Sequence, residues 1–137
     1  MKQIMPEKKR PSRRLIEGAF AVIDFKKIYL NNDGGRMLNP RNCDLWITIG
    51  IDKSNSLMTF TRCLPDEPGA FKMSRVCETE YARRIETNRA LSSIIKAGFP
   101  LGMMGKQLPV SLLMDGSVMV DFRWEHQKPP ESVQYSA

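Results

Sequence analysis

The stretches Lys26-Lys27-Ile28-Tyr29-Leu30-Asn31 and Arg83-Arg84-Ile85-Glu86-Thr87-Asn88 resemble each other within one chain of 137 residues. In each, two basic residues precede a short β-prone run and a residue that can cap a helix. A short helix and a two-stranded hairpin are expected to follow both stretches, and the hairpins end at Phe60 and Phe122. Because one unit of about 40 residues buries its apolar surface poorly, two such units are expected to pack against each other.

In the first copy, the apolar run 19–25 predicts a strand that Lys26 and Lys27 interrupt and residues 28–30 resume. The polar residues 31–35 favour a helix start, although two glycines weaken that helix by about 1 kcal/mol each. Apolar runs at 45–51 and 57–60 flank a polar turn and predict a hairpin. Two prolines and a glycine in residues 64–69 predict a loop.

In the second copy, residues 74–82 are compatible with a helical turn, and residues 83–87 with either strand or helix. From Asn88, read as an N-cap, a helix is predicted to run to Gly98. Asp115-Gly116 between two β-prone runs predicts a hairpin with a type I′ turn. Pro109 is expected at an edge or a strand start, because it cannot donate to a ladder.

These patterns predict a mainly β fold with short helices (β+α). Two similar strand–helix–hairpin halves would pack against each other as a pseudo-dimer, and the family resemblance given next implies that they form a swapped-hairpin-like barrel; the alternative is chance similarity between two halves that each contain a hairpin. The expected organisation is a basic disordered arm (1–14), a first half (15–64), a linker (65–74), a second half (75–124) and a polar tail (125–137).

The order basic-Ile-Tyr-Leu-Asn, short helix and hairpin resembles the AbrB/MazE/MraZ superfamily of swapped-hairpin domains, over residues 20–60 and more loosely over 83–122. The family pattern has a glycine before the basic residue, where Lys26 and Arg83 stand here, and a proline where Asn31 and Asn88 stand. The resemblance implies an interlaced barrel and a DNA-binding transcription regulator, with two copies in one chain as in the MraZ branch.

The resemblance also implies which residues contact DNA. Lys27 and Arg84 match the basic residue at the start of the family's first strand, and Arg36 matches a helix position that often carries arginine. Arg89 and Lys96 add charge to the second helix. Such side chains bind phosphates or read groove edges. The alternative is that they are solvated surface charges that keep a small domain soluble.

Charge is concentrated at the N-terminus. Residues 1–14 carry a net +5, whereas the rest of the chain carries +1 of the total +6. An arm of this kind either touches phosphates or merely solubilises the chain. The arm residues expected to contact DNA are Lys8, Lys9, Arg10, Arg13 and Arg14.

The sequence argues against an enzyme and against a metal site. The one histidine, His126, lies near the C-terminus, so no nucleophile–base pair is visible. Cys43, Cys63 and Cys77 lack ligand spacing and are expected to be free thiols in a reducing cytoplasm, with no cofactor. No apolar run is long enough to span a membrane, and no signal peptide is recognised.

The favoured function is therefore a small cytoplasmic DNA-binding regulator, with duplex DNA as its partner and a homodimer as one possible assembly. The alternative is a protein-interaction module, such as an antitoxin-like factor, an inhibitor or a phage accessory protein. In that case sheet edges and the methionine-rich second hairpin would carry binding. Convergence of Lys27, Arg36, Arg84 and Arg89 on one face would favour DNA, and an exposed apolar patch would favour a protein.

Overall fold

The computed structural model describes residues 18–123, which form a closed eight-stranded antiparallel barrel with two helices. Each strand alternates between inward and outward side chains, as the period of two requires. The elements are β1 (Phe20–Ile23), β2 (Ile28–Leu30), α1 (Asn32–Leu38), β3 (Leu45–Asp52), β4 (Leu57–Arg62), β5 (Phe71–Arg75), β6 (Arg83–Ile85), α2 (Asn88–Ala97), β7 (Gln107–Leu112) and β8 (Val118–Asp121).

The strands follow one another around the barrel in the order β1-β2-β6-β5-β3-β4-β8-β7. Exchanging β1, β2, β3 and β4 with β5, β6, β7 and β8, respectively, gives the same ring of neighbouring strands. The β1–β2, β3–β4 and β1–β7 pairings then become β5–β6, β7–β8 and β5–β3, while β2–β6 and β4–β8 map onto themselves. The two halves therefore share one connectivity and are joined by four strand pairs, β1–β7, β2–β6, β3–β5 and β4–β8.

The helices cover opposite ends of the barrel. Helix α1 follows β2 and helix α2 follows β6, and these two strands are antiparallel neighbours. Their carboxyl ends therefore point to opposite openings. The buried face of α1 ends in Leu38, and that of α2 presents Leu91 and Ile94.

The barrel interior is filled by inward side chains from all eight strands, including Ile28, Ile47, Phe60 and Val120, none of which is exposed. Burying aliphatic side chains of this size contributes about 1.5–3 kcal/mol each. The interior thus leaves the outer faces of the strands and the two ends of the barrel as surfaces for function.

Much of the predicted order is confirmed: a mainly β fold, a helix that begins within residues 31–35, a hairpin of β3 and β4, and a loop between β4 and β5. The helical turn expected from Ser74 is wrong. Ser74 and Arg75 instead end β5, where they pair with Arg84 and Arg83. A strand forms here because β6 offers it a partner, which a local pattern does not reveal.

Two details at the ends of elements also differ from expectation. The N-cap of α2 is Thr87, whose hydroxyl accepts from the Arg89 N–H at 3.0 Å, rather than Asn88. The β7–β8 hairpin forms, but its turn is not type I′, because Gly116 has positive φ and Asp115 does not. The Gly116 N–H donates to Leu113 O at 3.0 Å, as in a type I turn followed by a left-handed glycine.

Pro109 lies inside β7 rather than at an edge or a strand start, and the closed barrel has no edge strand. It sits opposite Phe20 of β1, and the pairing with β8 begins one residue later, at Val110. Within residues 18–123, no helix is long and apolar enough to cross a bilayer.

Candidate nucleic-acid interface

The arm residues Lys8, Lys9, Arg10, Arg13 and Arg14 lie outside the described residues, as does the tail 125–137. The five other expected contacts lie on or beside β2, β6, α1 and α2. Four of them, Lys27, Arg36, Arg84 and Arg89, lie on or beside the segment that runs from Tyr81 through β6 to α2. We refer to these four residues as the β6 strip.

Arg84 occupies the middle of the strip. It is the outward residue of β6, between the inward Arg83 and Ile85, and it faces Tyr29 of β2 and Ser74 of β5. Its buried Nε lies 3.4 Å from Glu86 Oε2 without forming a hydrogen bond. Glu86 itself is exposed, so this ion pair is of the weak surface kind. The guanidinium therefore keeps donor capacity for an external acceptor.

Arg36 stands at the α1 end of the strip. Its guanidinium lies over the Tyr81 ring, 4.8 Å from the centroid, and 3.8 Å from Asp33 Oδ1. Asn32 Oδ1 accepts from the Tyr81 N–H at 2.6 Å, which fixes α1 against the segment that enters β6. This hydrogen bond thus holds α1 beside the segment that leads into β6, and the Tyr81 ring restricts the position of the Arg36 guanidinium.

Arg89 stands at the α2 end. It lies in the first turn of α2, and its guanidinium covers the ring of Phe71 at 4.6 Å from the centroid. Lys27 precedes β2 at this same end, where continuing the β2–β6 register sets it opposite Glu86. Lys96 is exposed on the last turn of α2, two turns beyond Arg89, and extends away from β6.

From Tyr81 to Thr87 the strip covers about 20 Å at the usual rise of a strand. Acidic residues lie among its cations, namely Asp33, Glu80 and Glu86. Burial first, and the charge of Glu80 second, raise the pKa of Tyr29, so this outward phenol stays neutral at physiological pH. The strip is thus a line of spaced arginines with aromatic neighbours and only a moderate excess of positive charge.

The structure also joins residues that sequence reasoning missed. Arg75 and Arg83 face each other across β5 and β6, and both donate to Oδ1 of Asn42, which has a positive φ of 54°. Strand alternation was the available signal for Arg83. It lies two residues before the inward Ile85 and so shares its face.

Other chemistry is limited within residues 18–123. No group of three His, Cys, Asp or Glu side chains is placed to hold a metal ion, and the three cysteines are free thiols. Apolar side chains are exposed near the α2 end, where Phe25 is 69% and Leu101 59% accessible. A groove beside Phe25 is lined by Leu91, Ile95 and Met104.

Comparison with known proteins returned no relative: no family model matches the chain, and neither the curated proteins nor the solved structures give a match. The geometry of the molecule is therefore the basis for assigning a function.

Proposed function

We propose that this protein binds duplex DNA along the β6 strip and acts as a small transcription regulator. The observation that carries the proposal is that Arg36 of α1, Arg84 of β6 and Arg89 of α2 lie in this order beside the segment from Tyr81 to α2. Lys27, just before β2, lies opposite Glu86 of the same segment when the β2–β6 register is continued. Arginine and lysine at such spacing suit the phosphates of one strand. The rings of Tyr81 and Phe71 restrict the guanidinium groups of Arg36 and Arg89.

The length of the strip fits a contact with a small number of DNA phosphates. A length of about 20 Å spans about six base pairs at 3.4 Å per step along each strand. Four cations then contact at most about four phosphates, so binding by the folded part of the chain is expected to be sensitive to salt. The ion pairs to Asp33 and Glu86 are surface contacts that a phosphate can replace at small cost.

The pseudo-dimeric, swapped-hairpin organisation is part of the same proposal. The exchange of β1–β4 for β5–β8 leaves the set of strand pairings unchanged, which supports duplication of a strand–helix–hairpin unit. The pair β2–β6 is one of the two pairs that map onto themselves, so the strip lies where the two halves meet. The cytoplasmic location and the homodimer stay predictions.

The test compares full-length variants for affinity to a random-sequence duplex by fluorescence anisotropy. Arg84→Gln/Arg89→Gln removes two strip cations, and Arg62→Gln is the matched control. Arg62 is exposed near Gly116 in the β7–β8 turn, and β8 is the strand farthest around the barrel from β6. A third variant changes the five cations Lys8, Lys9, Arg10, Arg13 and Arg14 to glutamine.

We expect the double variant to bind the duplex about tenfold or more weakly than the wild type, because each charge-assisted contact contributes over 1 kcal/mol. The Arg62→Gln control is expected to bind as the wild type does. Loss of binding only in the arm variant would reduce the DNA signal to a polycation effect and contradict a site on the barrel. Absence of binding by the wild type would contradict the regulator and leave the protein-interaction alternative, for which the exposed Phe25 and Leu101 are the first surface to examine.

A further inference from the structure

Two arginines stand directly opposite each other near the α1 end of the barrel, on the strands β5 and β6. The pair is Arg75 and Arg83, and like charges in this position repel. Their guanidinium groups also converge: Nη1 of Arg75 lies 2.9 Å and Nη2 of Arg83 lies 2.8 Å from the same Oδ1 of Asn42. Two cations therefore share one neutral oxygen.

Arg83 is 1% exposed and is held only by neutral acceptors. Its Nη2 also donates to Cys43 O at 3.0 Å, and its Nη1 makes long contacts of 3.4 Å to the carbonyls of Tyr81 and Ala82. Within the part of the chain that the structure describes, neither arginine of the pair contacts a carboxylate; the ion pairs there belong to Arg36 and Arg84.

The cluster therefore carries positive charge that its own contacts do not neutralise. Burial first, and the charge of Arg75 second, lower the pKa of Arg83, while Cys43 and Asp44 oppose this shift. A buried cation without a contacting counter-charge is costly, and such a group is stabilised when an anion reaches its surroundings.

A cleft of about 220 Å³ lies beside this cluster, between β5 and residues 43–44. Besides Arg75 and Arg83, its lining includes the exposed residues Lys72 and Ser74 of β5. Asp44 is the acidic residue in the lining. Three basic residues and one acidic residue thus line a space smaller than the 300–1,000 Å³ typical of pockets for whole cofactors.

We propose that this cleft binds a phosphoryl group. A phosphate monoester carries close to two negative charges at neutral pH, which matches the charge excess of the lining. Its oxygens accept from several directions, as donors on Lys72, Ser74 and Arg75 require. The planar fork of arginine suits such an ion, and Lys72 adds a point charge. Arg83 contributes as a fixed, buried positive charge that also holds residues 42–43 in place.

The phosphoryl group has two sources that share this chemistry: a small phosphorylated molecule, or the backbone of a nucleic acid lying on the neighbouring β6 strip. Residues of β5 line the cleft, and β5 is the neighbour of β6 in the barrel. A DNA backbone bound along the β6 strip would therefore pass close to the cleft. The proposal does not depend on the strip, because a free phosphate suffices to test it.

The experiment measures the thermal midpoint and the binding isotherm of the full chain with inorganic phosphate, against sodium chloride at equal ionic strength. Lys72→Gln and Ser74→Ala change exposed side chains that make no hydrogen bond in residues 18–123, so folding is expected to survive. Lys96→Gln, at the opposite end of the barrel, is the matched control. Arg75→Gln is a further variant, but it also removes the contacts to Asn42.

Phosphate is expected to raise the midpoint of the wild type and of Lys96→Gln, since a ligand that binds only the native state stabilises it. Lys72→Gln is expected to weaken phosphate binding by about tenfold, the ratio that corresponds to one charge-assisted contact. No rise in the midpoint at about 10 mM phosphate, or an equal loss in Lys96→Gln, would overturn the proposal.

The DNA assay then assigns the source of the phosphate. If Lys72→Gln loses phosphate and keeps its DNA affinity, the cleft takes a small phosphorylated ligand. If it loses both, the cleft holds a backbone phosphate. Failure of the strip variants to affect DNA binding would leave the phosphate result unchanged, so the two proposals fail separately.

Discussion

Gly34 and Gly35 are successive residues of α1, but their Cα atoms face different neighbours. A Cβ on Gly35 would lie 1.9 Å from the carbonyl oxygen of Tyr81, a backbone atom that cannot rotate away. A Cβ on Gly34 would meet Leu30 Cδ1 at 2.6 Å, which is the end of a flexible side chain. Gly35 therefore allows α1 to approach the segment that carries Tyr81 and enters β6.

We expect Gly35→Ala to lower the free energy of unfolding by about 2–3 kcal/mol, the upper range for overpacking. Gly34→Ala is expected to change it by less than about 1 kcal/mol, because a small clash is offset by the higher helix propensity of alanine. Urea unfolding of both variants checks the pair. Equal losses would contradict a close approach specific to Gly35.

At the residue scale, sequence reasoning identified charge but not its surroundings. Arg84 was predicted at a strand and is there, on the outer face of β6. Arg83 is not among the residues predicted to contact DNA, although strand alternation with Ile85 places it on the buried face. Its partner Asn42 lies 41 residues away in the chain, so no local pattern could have joined them.

Helix α1 is tied to the sheet through its capping residue, whereas α2 is capped locally. Asn31 Oδ1 accepts from the N–H groups of Gly34 and Phe20, both at 2.9 Å, and its Nδ2 donates to Gly18 O. The Thr87 hydroxyl accepts from the Arg89 N–H, within the same turn of helix. The sequence predicts a helix start among residues 31–35 without selecting the cap. The link from Asn31 to β1 is not predictable locally, because it depends on the β1–β2 pairing.

We expect Asn31→Ala to cost about 2–3 kcal/mol of stability, the cap plus an unsatisfied N–H at Phe20. Thr87→Ala is expected to cost about 1 kcal/mol, as for an ordinary cap. Chemical denaturation of the two variants measures the difference. If both cost the same, the link from Asn31 to β1 contributes nothing.

The β7–β8 turn contains a carboxyl group, Asp115, whose contribution to stability depends on pH. Hydrogen bonds from the backbone N–H and the hydroxyl of Ser117 hold the pKa of Asp115 below its ordinary value. A lowered native pKa stabilises the folded state above the ordinary carboxyl pKa of about 4. That contribution disappears as the pH falls through the native pKa.

Asp115→Asn keeps an oxygen acceptor and removes only the charge. The wild type is expected to be more stable than this variant at neutral pH, and the two are expected to converge at strongly acid pH. Urea midpoints measured across this range provide the check. A difference that stays constant with pH would show that the charge of Asp115 has no role.

At the scale of the whole molecule, the order of elements was largely predictable, since each element has its own signal, such as the helix start at 31–35 or the polar turn at 52–56. Closure of the barrel was expected only through a family resemblance. It depends on the pairings β1–β7 and β2–β6 between distant segments, with Phe20 opposite Pro109 and Ile28 opposite Ile85. Residues 71–75 became a strand for the same reason, because they gained partners on both sides.

The β6 strip was predictable as a list of residues but not as a surface. Lys27, Arg36, Arg84 and Arg89 come from four different elements or loops, and β6 with its two flanking helices brings them into line. Arg36 and Arg89 are carried on aromatic rings that the sequence did not pair with them. Lys96 was expected at the same site but extends away along α2.

The most direct test of the DNA proposal is the salt dependence of binding, which counts phosphate contacts. The slope of log K against log salt is measured by anisotropy for the full-length wild type, Arg84→Gln/Arg89→Gln and Arg62→Gln. Each lost phosphate contact is expected to make the slope shallower by about 0.9. We expect a slope shallower by about 1.8 for the double variant and an unchanged slope for Arg62→Gln. A double variant with the wild-type slope would contradict a DNA interface on the β6 strip.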